Sequence, residues 1–180
     1  MRRAAFLDRD GVINAAEVRN CLPHPPATLD ELRILPGVER ALERLHDAGY
    51  LTIVVTNQPD VARGVTSRSM VDAIHARLRA ALRLDGIYVC WHDDADRCNC
   101  RKPQPGLLLE AARDHNVDLA HSFLIGDRWK DVAAGQKAGC RTIWIKYDYD
   151  EQEPAPPIDY VTDGLASAVD WILESRGMAR

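Results

Sequence analysis

The feature that most constrains this chain is a recurring pattern in which a short apolar run stops abruptly at a polar turn and a segment of helical period follows. Ala4-Ala5-Phe6-Leu7 ends in Asp8-Arg9-Asp10-Gly11, Tyr50-Leu51-Thr52-Ile53-Val54-Val55 ends in Thr56-Asn57-Gln58-Pro59, and Phe123-Leu124-Ile125 ends in Gly126-Asp127-Arg128. Runs this short, bounded by turn formers, read as buried strands. Val38, Ala41, Leu42, Leu45 and Ala48 recur at helical spacing before Gly49. Met70, Val71, Ile74, Leu78, Ala81 and Leu82 do the same behind Thr66 or Ser67, either of which can cap a helix. Helices are also expected from Pro105-Gly106 through Ala112, over Lys130 to Ala138 before Gly139, and over Leu165 to Leu173, with strands over Ile87 to Val89 and Thr142 to Ile145. This alternation predicts a Rossmann-like three-layer α/β/α fold, a parallel sheet with helices on both faces.

The chain has 180 residues, the length of one domain spanning 1–180 and enough to bury a core without disulfides. Residues 14–35, with Pro23, Pro25 and Pro26 and no clear period, read as an irregular connection. No insertion long enough for a separate cap domain lies between Asp8 and Thr56 or between Thr56 and Lys102. Any pocket must therefore be roofed by loops, with residues 15–35 and the stretch around 90–100 as the candidates.

In an open parallel sheet, ligands bind beyond the carboxyl ends of the strands, where loops and helix N-termini converge. Asp8 and Asp10 lie two residues apart, so from an extended segment their side chains point the same way, and Gly11 lets backbone N–H groups turn toward an anion. Asp127, arriving from another strand, would complete an oxygen-only donor set suited to Mg²⁺, whose other ligands are waters and substrate phosphate. A phosphoryl group is the expected substrate fragment. With 23 Lys+Arg against 27 Asp+Glu and a net charge of −4, the chain has no basic footprint, and no nucleic acid partner is expected. No apolar run approaches the roughly 20 residues of a membrane span, and no export signal precedes the first strand, so a cytoplasmic protein without a membrane partner is expected. The five cysteines are then expected to be reduced.

Four of the thiol and imidazole groups crowd into one stretch. Cys90-x-His92 followed by Cys98-x-Cys100 offers the ligand set of a closed tetrahedral Zn²⁺ site, a zinc-binding loop over 90–100 with no open position for catalysis. Arg101-Lys102 follows the last thiol directly, so a metal knot would fix two cations in place. Asp93, Asp94 and Asp96 read as a solvated loop face. His46, His75 and His115 read as ordinary helical histidines, Trp91, Trp129, Trp144 and Trp171 as packing residues, and Cys21 and Cys140 as unreactive.

Asp8-Arg9-Asp10-Gly11-Val12 after the first strand, Thr56 after the next, then Lys102, then Gly126-Asp127 with Asp131 one turn on, resemble the haloacid dehalogenase superfamily of phosphohydrolases, in order over most of the chain. The resemblance implies that Asp8 is the nucleophile and forms a transient aspartyl-phosphate, and that Asp10 protonates the leaving alkoxide and later takes a proton from water. It implies that Thr56 and Lys102 hold phosphoryl oxygens and that Mg²⁺ is bound by Asp8, the Asp10 carbonyl and Asp127. Asp131 would orient Lys102 or a metal-bound water, or would simply be a charge at a helix start. With Ala62-Arg63-Gly64, Leu84-Asp85-Gly86-Ile87-Tyr88 and the zinc loop added, the motifs resemble the superfamily branch that removes the 7-phosphate of a heptose bisphosphate; the neighbouring branch takes histidinol phosphate. On this reading a monomer acts on a small phosphorylated sugar, Arg101 recognises the distal part of the bisphosphate, and Asn57, Gln58, Arg63 and Arg128 line the pocket. A zinc-stabilised module that binds phosphorylated ligands without turnover is the reading from another class.

Overall fold

A computed structural model describes residues 1–175. In chain order the elements are β1 (Arg3–Leu7), β2 (Glu17–Arg19), β3 (Leu22–His24), α1 (Val38–Asp47), β4 (Tyr50–Asn57), α2 (Arg68–Ala81), β5 (Gly86–Cys90), α3 (Gly106–His115), β6 (Phe123–Gly126), α4 (Trp129–Ala138), β7 (Arg141–Ile145), β8 (Tyr160–Thr162) and α5 (Leu165–Ser175). Six strands form one sheet in the order β5-β4-β1-β6-β7-β8, every pairing parallel.

The central strands β1, β4 and β6 are buried along nearly their whole length because both faces of the sheet are covered there. Their two-residue period divides the interior. Ala5, Leu7, Val54, Phe123, Ile125, Ile143 and Ile145 pack against Val38, Leu42 and Leu45 of α1, Ile74 and Leu78 of α2, and Val169 and Ile172 of α5. Ala4, Phe6, Leu51, Ile53, Val55 and Leu124 face the opposite way, onto Leu107, Leu108 and Ala111 of α3 and Ala134 of α4. Burying each Leu, Ile or Phe of these cores stabilises the fold by about 1.5–3 kcal/mol. Of the two candidate caps before α2, Ser67 serves: its Oγ accepts from Met70 N at 3.1 Å.

Three strands fall where sequence periodicity is silent. Residues 14–35 are not wholly irregular: β2 and β3 form an antiparallel hairpin pairing Glu17 with His24, Val18 with Pro23 and Arg19 with Leu22. Asn20 and Cys21 both take positive φ, 51° and 60°, as a tight two-residue hairpin turn demands. Strands of three residues are too short to show alternation, and Pro23 is tolerated because the hairpin stands outside the main sheet. The other addition, β8, extends the sheet beyond β7 after the acidic loop, helped by the Asp159 carboxylate, which accepts from Thr142 N at 2.8 Å. Among the described residues no helix is long and apolar enough to cross a membrane, and no inserted cap domain appears.

The topology positions the site. β1 lies between β4 and β6; the chain leaves β4 for α2 on one face and β6 for α4 on the other. The polar turns after the three strands therefore border one crevice at the carboxyl edge of the sheet.

Candidate active site

Asp8 is the first residue past β1, and its backbone N–H donates to Ile125 O of β6 at 2.9 Å, which fixes it at the sheet's edge. Lys102 reaches it from the far end of the zinc loop. Its Nζ lies 2.8 Å from Asp8 Oδ1 and 2.6 Å from Asp131 Oδ1 and donates to Val55 O at 2.8 Å. Only 2% of Lys102 is exposed, so its charge is fully engaged. Asn57 holds the Lys102 backbone in a reciprocal pair: Lys102 N donates to Asn57 Oδ1 and Asn57 Nδ2 donates to Lys102 O, both at 3.0 Å. Burial alone would lower the lysine's pKa, but Asp131 and Asp8 more than offset this and hold it above its ordinary value.

The acids respond in the opposite direction. Asp8 is pushed up to about 6, chiefly by burial, opposed by Lys102 and reinforced by Asp131 and Asp10. Asp127 is raised well above the carboxylate range by burial and then by the charges of Asp8 and Asp131. One oxygen from each of Asp8, Asp127 and Asp131 lies within 4.8 Å of the other two. Asp127 Oδ2 accepts from Tyr149 Oη at 3.0 Å, and the Asp127 carbonyl accepts from Trp144 Nε1 at 3.1 Å. Its Oδ1, however, is buried with no partner. Three crowded acids outnumber the one lysine beside them, and their oxygens, the orphaned Asp127 Oδ1 included, form a donor set that fits a hard divalent cation such as Mg²⁺.

Two glycines make the crowding possible. A Cβ at Gly11, whose φ is +87°, would stand 2.1 Å from Asp127 Oδ2, and one at Gly126 would stand 2.2 Å from Asp131 Cβ. Asp131, in the first turn of α4, accepts from Arg128 N at 3.0 Å while holding Lys102. It orients the lysine and joins the acidic cluster, so it is more than a helix-start charge.

The carboxylate of Asp10 is used differently. Oδ1 accepts from Asn14 Nδ2 at 2.9 Å and Arg9 Nε at 3.1 Å, and Oδ2 accepts from Gln58 Nε2 at 2.9 Å. Asp10 and Asp8 still line the same cavity. Gln58 is 1% exposed and also donates to Thr56 Oγ1 at 2.9 Å; its amide is occupied in holding Asp10 and Thr56 and is not among the cavity walls.

That cavity, of about 240 Å³, runs from Asp8, Asp127 and Asp131 past Asn57 to Arg63, Arg101, Arg128 and Lys130, with Leu22, Pro23, His24 and Pro25 of the hairpin region on its wall. Each outer cation already has an anionic neighbour. Arg63 is paired with Asp93 at 2.8 and 2.5 Å, Arg101 Nε with Asp94 at 2.7 Å, Lys130 with Asp94 at 3.6 Å, and Arg128 with Glu151. Both loops expected as a roof take part. The contribution of 146–153, through Tyr149 and Glu151, escaped sequence reasoning; the aromatic pair Tyr147 and Tyr149 within an acidic loop was the available signal. Lys130 and Asp94 were likewise missed as cavity residues.

The four zinc-loop residues converge. Sγ of Cys90 lies 3.1 Å from that of Cys100 and 3.6 Å from that of Cys98; Cys98 and Cys100 are 3.4 Å apart, and His92 Nδ1 is 3.3 Å from Cys100 Sγ. These separations far exceed the roughly 2.05 Å of a disulfide and approach the roughly 3.8 Å edge of a tetrahedron of thiolates around zinc. All four ligand atoms lie within 4.8 Å of one another. Cys98 Sγ also accepts from Arg101 N at 3.4 Å, joining the cluster to the residue before Lys102.

Comparison with known proteins agrees with this geometry. Residues 99–168 match the HAD-hydrolase-like family model. The chain is 35% identical to the D-glycero-D-manno-heptose-1,7-bisphosphate 7-phosphatase of Thermosynechococcus vestitus, covering 95% of each chain. It is 33% identical to the D-glycero-beta-D-manno-heptose-1,7-bisphosphate 7-phosphatase of Pseudomonas aeruginosa, covering 96% of this chain and 99% of that one. Among solved structures, the D,D-heptose 1,7-bisphosphate phosphatase of B. bronchiseptica complexed with magnesium and phosphate superposes with a TM-score of 0.85 at 31% identity, covering 96% of this chain and 99% of that one.

Proposed function

From the premise that the chain belongs to the HAD-like phosphatase family of these relatives, we propose that it hydrolyses a phosphomonoester through an aspartyl-phosphate on Asp8 and that its substrate is D-glycero-D-manno-heptose 1,7-bisphosphate, from which it removes the 7-phosphate. One observation carries this reading: the Asp8 carboxylate opens on a cavity while Lys102 Nζ, 2.8 Å away, and the unpartnered Asp127 Oδ1 stand beside it. A nucleophile, a cation for phosphoryl oxygens and a vacant anionic donor are what phosphoryl transfer requires.

In the first half-reaction an Asp8 oxygen bonds to phosphorus, the ester P–O bond breaks, and Asp10 delivers a proton to the departing sugar oxygen. In the second half Asp10 takes a proton from water as the water oxygen attacks the phosphorus of the acyl phosphate, releasing inorganic phosphate and restoring Asp8. Thr56 and Lys102 hold the phosphoryl oxygens. Asp8, the Asp10 carbonyl and Asp127 would hold Mg²⁺, which when bound supplies positive charge against the repulsion between carboxylate and phosphate. Cys90, His92, Cys98 and Cys100 would hold Zn²⁺ as a structural knot. Arg63, Arg101, Arg128 and Lys130 stand at the outer end of the cavity, where the second phosphate of a bisphosphate could take the place of the carboxylates that now pair with them.

The test is phosphate release from the heptose bisphosphate, with and without Mg²⁺, alongside histidinol phosphate. Mg²⁺-dependent release leaving a heptose 1-phosphate is expected. Preferential turnover of histidinol phosphate would overturn the substrate assignment, and no release from either substrate would leave the binding-module reading in its place.

A further inference from the structure

Arg9, set between the two aspartates, is the bulkiest fully buried side chain among the described residues, 0% exposed. A buried guanidinium must find acceptors on each side. Its Nε donates to the Asp10 carboxylate at 3.1 Å, its Nη2 lies 3.0 Å from the same carboxylate as an ion pair without a hydrogen bond of its own, and its Nη1 lies 2.9 Å from Nε2 of His75. Because a guanidinium only donates, His75 Nε2 is the acceptor, and the neutral ring carries its proton on Nδ1. Burial, then the adjacent Arg9 charge, holds His75 down at about 4, which keeps the acceptor available at neutral pH. His75 belongs to α2 and is 7% exposed, so the contact links a helix packed on the sheet to the turn that bears Asp10.

We propose that His75 is a positioning residue for phosphoryl transfer: by fixing Arg9 it sets the orientation of the Asp10 carboxylate that protonates the leaving oxygen. The proposal rests on the assignment of Asp10 as general acid. His75 itself moves no proton. Without its ring nitrogen, Nη1 of a long side chain would be left unsatisfied in the interior, and the guanidinium would turn toward another acceptor and take Asp10 with it. A misplacement of about 1 Å at a reacting group can lower rate about 100-fold.

A leaving-group comparison separates this from general damage. An alkoxide needs the proton of Asp10, whereas p-nitrophenolate departs without it. In His75→Leu, kcat/KM for a sugar phosphate is expected to fall about 10- to 100-fold, while kcat/KM for p-nitrophenyl phosphate falls less than about threefold. His75→Gln, whose amide oxygen can accept from Arg9, should recover most of the loss. Should His75→Leu fail to fold, His75→Asn, polar but too short to reach Arg9, should show the same selective loss. Equal losses on both substrates, or a glutamine variant no better than leucine, would overturn the proposal. Asp10→Asn measured in parallel isolates the premise. If Asp10→Asn is not selective, the assignment of Asp10 fails; if it is selective and the His75 variants are not, the present inference alone fails.

Discussion

Lys102 is the residue on which the acidic cluster depends, because among the described residues its ammonium is the only countercharge placed between Asp8 and Asp131. Lys102→Met would leave two buried carboxylates facing each other. A loss of about 3–5 kcal/mol in urea unfolding near neutral pH is expected, with kcat reduced at least about 100-fold. Lys102→Arg is not a conservative rescue, since a planar fork cannot occupy the same point between two carboxylates and Val55 O. Proton linkage at the same cluster has a definite sign. Folding raises Asp8 from 3.8 to about 6 and raises Asp127 as well, so the metal-free fold holds these protons more tightly than the unfolded chain does. The Asp8 contribution to stability is complete below the unfolded value and is lost as pH rises through about 6. Mg²⁺ replaces the protons, so it should raise Tm clearly near about pH 7.5 and hardly at all near about pH 5; equal shifts at both would contradict the coupling. Tyr149→Phe removes the hydroxyl that donates to Asp127 Oδ2, and calorimetric Mg²⁺ affinity is expected to drop roughly tenfold with little change in fold stability. None of this interplay is visible in residue types alone. Asp8, Asp127 and Lys102 stand out as strand-end or motif residues, but Tyr149 and His75 act through contacts with partners distant in sequence; an aromatic pair in an acidic loop hints at the first, and no local pattern marks the second.

At the scale of elements, the loop of Cys90, His92, Cys98 and Cys100 works as a joint. The Cys98 thiol accepts from Arg101 N, and Lys102 follows immediately, its backbone gripped by Asn57 at the end of β4. If the four donors hold zinc, its chelation, or Cys98→Ser, should lower kcat by displacing Lys102 while the far-UV circular dichroism of the sheet persists, because only Cys90 of this loop belongs to a core, with Cys98 and Cys100 packed at its edge. Loss of the whole fold on chelation would contradict the loop's local role. The elements that carry these features differ in how plainly the chain declares them. β1, β4 and β6 read clearly since burial on both faces demands uninterrupted apolar runs, and the cysteine spacing reads clearly since zinc needs four donors. The β2–β3 hairpin and β8 do not, since three residues carry no period and Pro23 argues against a strand. Their pairing is decided by the turn at Asn20 and Cys21 and by the register beside β7, which are tertiary facts.

For the whole molecule, a parallel sheet ordered β5-β4-β1-β6-β7-β8 sets its reversal of direction at β1, and two apolar cores hold the central strands rigidly enough to support a cluster of like charges at one edge. Strand and helix alternation made the layers and the site's edge readable, whereas the cavity's far wall, built by the hairpin and by residues 146–153, depends on how loops of no fixed period come to rest on one another. The account reduces to the claim that Asp8 becomes the phosphoryl carrier. Beryllofluoride, a mimic of an acyl phosphate, offers the most direct check when crystallised with the Mg²⁺-loaded protein. The expected result is a beryllium–oxygen bond to Asp8 with fluorines on Lys102 and Thr56; an adduct on Asp10, or one standing free of Asp8, would contradict the account.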